Sequence, residues 1–87
     1  MNRELVFNKQ GWNDYLQWQN DDINVSRKLN EIIKDVLREP FKGIGKPEPL
    51  KNNYKGYWSR RITNEHRVIY KVEKDRIIIV SCKGHYE

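Results

Sequence analysis

The sequence predicts an α+β fold of order β-α-α-β-β-β, with two N-terminal helices packed on a mostly antiparallel, twisted sheet. Three observations carry it. Apolar residues recur at helical spacing through positions 9–37, and apolar, β-branched runs separated by turn residues fill the chain from position 57. The third is the Gly- and Pro-rich stretch between them, which a regular element would not tolerate in its interior.

The first strand is expected over Arg3–Phe7, with Leu5 and Phe7 on one face and Glu4 and Val6 on the other. Asn8 suits the N-cap of a helix from Lys9 to about Asn20, whose stripe of Trp12, Tyr15, Leu16 and Gln19 should face the sheet. Gly11 weakens that helix slightly. The second helix has the strongest period: Val25, Leu29, Ile32, Ile33, Val36 and Leu37 line one face, and Arg27, Lys28, Asn30, Glu31, Lys34 and Asp35 read as a solvated one. Asp21 or Asp22 caps its start, and Pro40 ends it by disfavouring helix at Glu39. Residues 41–54 read as a long loop, and loops of that length in a small fold tend to be functional. Tyr57–Thr63, Arg67–Glu73 and Arg76–Lys83 then form an antiparallel meander joined at Asn64-Glu65 and Lys74-Asp75. In its middle run Val68, Tyr70 and Val72 share a face, which sends Arg67, Ile69 and Lys71 to the other. The register of the first hairpin stays open, so either Arg60 or Arg61 could accompany Arg67.

At 87 residues the chain is expected to be one domain, 1–87, near the lower size limit for a self-sufficient core. Its net charge of +5 is unevenly placed: residues 1–41 hold six Lys or Arg against seven Asp or Glu, and residues 42–87 hold eleven against five. A basic half with tyrosines and tryptophans for stacking points to a polyanion such as nucleic acid, the competing reading being lysines that guard sheet edges. Cys82 is the single cysteine, so neither an intramolecular disulfide nor a thiolate zinc cluster is available. The first residues lack the apolar core of a signal peptide, and the longest apolar run, Ile77–Val80, is far too short for a membrane span. A soluble, cytoplasmic protein with no membrane partner is the expectation.

The stretch GKPEPLK, Gly45–Lys51, sets Glu48 between two prolines and between two lysines. Pro47 fixes its own φ and Pro49 pushes Glu48 towards extended backbone, so this carboxylate is restrained before any tertiary contact forms. Gly43 and Gly45 do not make a phosphate-binding loop, since no Ser or Thr follows the lysine and Pro47 would break the required helix. A metal-free ribonuclease needs a base for the 2′-hydroxyl, cations for the developing charge and an acid for the leaving oxygen. Glu48 fits the base, Arg67 the stabiliser and His85 the acid; Lys51 and Arg61 add positive potential, and Tyr86 stacks on a base or orients the phosphate. Blander readings compete: Glu48 solvated, His66 filling a corner, Trp58, Tyr70 and Cys82 in the core, His85 too near the end to be ordered. A Cys82–His85 dyad is the rival chemistry in the last stretch, with nothing nearby to orient its imidazole.

Taken together, GKPEPLK, GYWSRRITNEHRVIY and the closing CKGHY, with WNDYLQWQ and the Pro40-Phe41 boundary, resemble the YoeB/Txe toxins, a branch of the RelE superfamily, over essentially the whole chain. The resemblance implies a RelE-like, microbial-ribonuclease-like fold and ribosome-dependent cleavage of mRNA in the ribosomal A site. It implies no cofactor and no metal, and neutralisation by an acidic YefM-like antitoxin. It also allows a homodimer. Residue by residue it assigns catalysis to Glu48, Arg67, His85 and Tyr86, and phosphate contacts to Lys51 and Arg61. Glu87 and Gly84 depart from the usual ending, which bears on the pKa and the rigidity of His85 rather than its identity. A non-enzymatic nucleic-acid-binding module and an inactive partner of an antitoxin are the alternatives.

Overall fold

The computed structural model describes residues 2–84, so His85, Tyr86 and Glu87 lie outside the described residues. The chain runs β1 (Glu4–Phe7), α1 (Lys9–Asp21), α2 (Ile23–Arg38), β2 (Glu48–Pro49), β3 (Tyr57–Arg61), β4 (Arg67–Val72) and β5 (Arg76–Ser81). These strands form one sheet in the order β1-β5-β4-β3-β2, antiparallel except for the β1–β5 pair. The α+β class, the two helices and the meander are as predicted. The stretch expected to be all loop adds β2 and a 3₁₀ turn at Asn52–Tyr54. Pro49, which cannot donate a ladder hydrogen bond, is tolerated because β2 is the edge strand.

Helix α1 starts as expected, with the Asn8 side chain accepting from Gly11 N–H at 2.8 Å. Its buried face differs from the predicted stripe: Gly11, Asp14 and Trp18 are buried, whereas Trp12 and Leu16 are exposed. The reason is Gly11. A Cβ there would lie 2.3 Å from the Ile79 carbonyl oxygen, so only glycine lets the helix sit this close to β5 and turn its neighbours inward. Far from being a weak point, Gly11 sets the rotation of α1.

Asp22 closes α1 and caps α2, its carboxylate accepting from Asn24 and Val25 N–H. Leu29, Ile32, Ile33 and Val36 are buried as the period requires, against Val68, Tyr70, Ile77 and Ile79 of the sheet. Helix α2 ends before Pro40 with Glu39 in extended backbone. Two strands stop two residues earlier than expected. At Ile62 the ladder gives way to a turn, since Ile62 and Thr63 N–H both donate to His66 O and Thr63 Oγ1 accepts from Glu65 and His66 N–H. At Cys82 the N–H turns to Asp14 Oδ2 at 3.0 Å, just after a register shift that leaves Val80 unpaired between Ile79 and Ser81.

Candidate active site

Paired residues in a sheet project from the same face, so the register fixes which side chains meet. Glu48 pairs with Ser59, Ser59 with Ile69, and Ile69 with Ser81, giving one row across four strands. The adjacent row on that face is Arg61 opposite Arg67. The intervening residues, Arg60, Val68 and Tyr70 among them, point to the helices. A pocket of about 200 Å³ forms on the helix-free face, lined by Lys46, Glu48, Leu50, Ser59, Arg61 and Arg67 with Ile69 as its floor.

Glu48 and Arg67 stand two strands and two residues apart, on the order of 12 Å between backbones at standard sheet spacings. That gap is too wide for a direct ion pair and leaves room for a ligand, and no partner for the Glu48 carboxylate is found among the described residues. Arg67 is half committed. Its Nη1 donates to the carbonyls of Thr63, Asn64 and His66, which orients the guanidinium and leaves Nε and Nη2 without partners among the described residues. Arg61 and Lys46 are exposed and likewise make no ion pair there. Lys46 takes a left-handed backbone, φ 53°, uncommon outside glycine, and follows Gly45 at φ 79°. Gly45 is required because its carbonyl accepts from Arg61 N–H at 2.6 Å and a Cβ would meet Arg61 O at 2.8 Å. The GKPEP segment is thus stapled to β3, and the strained lysine follows from where that staple leaves the chain.

Of the predicted site residues, Glu48, Arg61 and Arg67 come together. Lys51 sits beyond Leu50, exposed at the start of the 3₁₀ turn and outside the pocket wall. His85 and Tyr86 lie outside the described residues. Gly84, the last described residue, is tied to β4: Gly84 O accepts from Arg67 N–H at 2.8 Å and Gly84 N–H donates to His66 Nδ1 at 2.9 Å. His66 does fill a corner, edge-on to Trp18 at 4.8 Å between ring centres.

The open choice between the arginines is resolved: Arg61 joins the pocket, and Arg60 is fully buried on the other face. All five Arg60 donors are used. Nε meets Tyr70 Oη, Nη1 meets Asp35 Oδ2 and Ile44 O, and Nη2 meets Glu39 O and Lys42 O. This cation therefore pins the loop that leads into GKPEP. Asp35, read from the sequence as solvated, is its counter-ion; hydrogen bonds from Arg38 first and Arg60 next outweigh burial and hold its carboxyl down at about 2. The signal for Arg60 was present in the alternation, since it lies between Trp58 and Ile62 on the apolar face. Asp35 had none, because its partner arrives from a distant strand.

Cys82 is wholly buried, and burial together with the Asp14 carboxylate pushes its thiol up to about 12, which removes it as a nucleophile at neutral pH. Asp14 and Trp18 escaped the sequence reading as well; they tie α1 to the end of β5 through Cys82 N–H and Cys82 O. Among the described residues no three His, Cys, Asp or Glu side chains gather as a metal site would need, and no helix is long and apolar enough to cross a membrane.

Comparison with known proteins agrees with this fold. The profile of a family described as "YoeB-like toxin of bacterial type II toxin-antitoxin system" matches residues 7–86. A Toxin YoeB of Escherichia coli is 53% identical over 83 residues, covering 95% of this chain and 99% of its own. Two solved Staphylococcus aureus structures are similar throughout. The YoeB dimer has a TM-score of 0.90 at 44% identity, and a YoeB–YefM complex 0.87 at 42%, each covering 99% of this chain and 100% of theirs.

Proposed function

This chain belongs to the family of YoeB-like toxins of bacterial type II toxin-antitoxin systems, and from that premise we propose that it is a ribosome-dependent endoribonuclease. It cuts mRNA in the ribosomal A site without a metal, and thereby stops translation. The observation that carries this reading is the pocket: a proline-braced carboxylate among three cations on the helix-free sheet face.

RNA brings its own nucleophile. Glu48 takes the proton of the 2′-hydroxyl, the 2′-oxygen attacks phosphorus, and the bond from phosphorus to the 5′-oxygen breaks. Arg67, with Arg61 beside it, neutralises the charge that grows on the non-bridging oxygens. His85 gives its proton to the departing 5′-oxygen and Tyr86 stacks on a base or orients the phosphate, roles that rest on the family resemblance. Lys51 draws the adjoining backbone towards the pocket by charge alone. The products are a 2′,3′-cyclic phosphate and a 5′-hydroxyl, and proton exchange with water resets Glu48 and His85.

A site this open has little surface with which to bend RNA into an in-line geometry, a step that contributes several kcal/mol. Presentation of the message by the ribosome supplies that step, so residues 1–87 act as one toxin domain in the cytoplasm and cut free RNA weakly. The proposed partner is an acidic YefM-like antitoxin. A solved relative is a YoeB–YefM complex, and the positive excess lies in the half that builds the pocket. The S. aureus YoeB dimer supports self-association in the same way.

Mapping of 5′ ends on a translated message, with and without ribosomes, tests the whole reading. Discrete cuts that need ribosomes and vanish in the Glu48→Ala, His85→Ala double variant are expected. Undiminished toxicity of that variant in cells would leave a binding module instead.

A further inference from the structure

The pocket does not end at Arg61. A second groove of about 350 Å³ shares Lys46 and Arg61 with it and continues between α2 and the β3–β4 turn, where Lys28, Thr63 and Asn64 complete its wall. We propose that this groove is a second phosphate subsite, holding the phosphate next to the scissile one on a single-stranded RNA; the choice of RNA as ligand rests on the nuclease reading above.

The groove is lined by three cations and no carboxylate. Lys28, Lys46 and Arg61 are exposed and make no ion pair among the described residues, so their charge is available to an anion. The nearest acid on the turn, Glu65, turns to His66, with Oε1 3.6 Å from Nε2. Thr63 is already oriented. Its hydroxyl oxygen accepts from Glu65 and His66 N–H, which leaves its own proton to donate. The wall is also tied to the chemistry, because Arg67 Nη1 grips the carbonyls of Thr63 and Asn64. The strained backbone of Lys46 sets that lysine on the ridge between pocket and groove, where one side chain serves both. A polyanion crossing from one to the other meets cations along the whole path. A lone phosphate monoester would need only one of the two.

The test uses a single-stranded oligonucleotide carrying 2′-deoxy sugars, so that it binds without being cut, titrated by fluorescence anisotropy over a range of salt concentrations. Lys28→Gln is expected to weaken binding roughly five- to tenfold at about 0.05 M salt and to reduce the salt slope by about 0.7, the increment for one single-strand phosphate contact. Lys74→Gln removes the same charge from the β4–β5 turn, outside the groove, and should leave the slope unchanged. Equal losses in the two variants, or an unchanged slope in Lys28→Gln, would overturn the subsite. Inorganic phosphate competing as well as the oligonucleotide would overturn it too, since one ion cannot span both cavities. Failure of the nuclease reading looks different: Lys28-dependent binding in a parent protein that never cuts a translated message.

Discussion

Arg60 and Arg61 are neighbours in sequence and opposites in physics. The strand alternation sends Arg60 into the helix-facing layer, where five acceptors saturate it, and sends Arg61 to the open face, where no acceptor among the described residues engages it. The first holds the 39–45 loop, and with it the entry to GKPEP, in one shape. The second reaches the segment so held through its backbone N–H, which donates to Gly45 O, and keeps its side-chain charge uncommitted. A buried saturated cation is structural, because every donor already has its work; an exposed unpaired one between two cavities is available to a ligand. The same division separates the packed side of the molecule, α2 and the core face of the sheet, from the face on which the pocket opens.

The largest expected effect lies on the open face. Glu48→Gln keeps the size and the proline brace but cannot take a proton, so cleavage of a translated message should fall by about 10²- to 10⁴-fold, the usual contribution of a general base. Stability should stay within about 0.5 kcal/mol, as for other exposed positions. Single-turnover cleavage and a denaturation curve on the same preparation separate the two readouts. A Gln variant that cuts at the parent rate removes the base from the mechanism.

Arg60→Met breaks the other side of the comparison. It strips four carbonyl and carboxylate acceptors and one hydroxyl of a donor in the interior, and breaking a buried ion pair from one side costs about 3–5 kcal/mol. Arg60→Lys should fare little better, since an ammonium offers three donors to five acceptors. Arg61→Met, one residue along, should leave the urea midpoint where it was. Matching losses at the two positions would erase the distinction.

Gly11→Ala comes next, at about 1–3 kcal/mol, the cost of forcing atoms into a packed contact. Here the atom struck is a backbone carbonyl of β5 that cannot swing aside. An unchanged melting temperature would mean that α1 can shift off the sheet, and that Gly11 does not set its rotation.

Much of this was legible in the sequence wherever a local rule decides the outcome. The α2 period, the Asn8 cap, an aspartate cap at 21 or 22, the Pro40 stop and the parity of Val68 and Tyr70 against Arg67 and Ile69 all follow from residue type and spacing. The pocket trio of Glu48, Arg61 and Arg67 was legible in part, through the proline brace and the strand parity; the reading left the two arginines open although Trp58 and Ile62 flank Arg60 on the apolar face, and the hairpin register decides between them. What stayed hidden depends on a second element. The inward turn of Gly11, Asp14 and Trp18 is dictated by how close α1 comes to Ile79, and the pairing of Asp35 with Arg60 by a guanidinium arriving from β3. Hydrophobic period is a poor guide when glycine, a carboxylate and an indole N–H make the contact.

The smallest effect is the one that probes the Arg60 network without removing it. Asp35 has its folded pKa depressed from 3.8 to about 2, so the folded state binds this proton less readily than the unfolded one. Its stabilisation is therefore complete above about pH 4 and drains away as pH falls towards 2. Denaturant midpoints from pH 5 to 2 should show that loss, and Asp35→Asn, which has no proton to bind there, should flatten its share of the curve. Arg38 and Arg60 both hold the carboxylate, but Arg38 is 71% exposed and Arg60 is wholly buried. Salt screens the first far more than the second. Raising the ionic strength should shrink the acid-dependent loss without abolishing it, and the remainder is the share of the buried arginine. A loss that disappears entirely in salt would assign Asp35 to the surface, and Arg60 would then hold the loop by its carbonyl contacts alone.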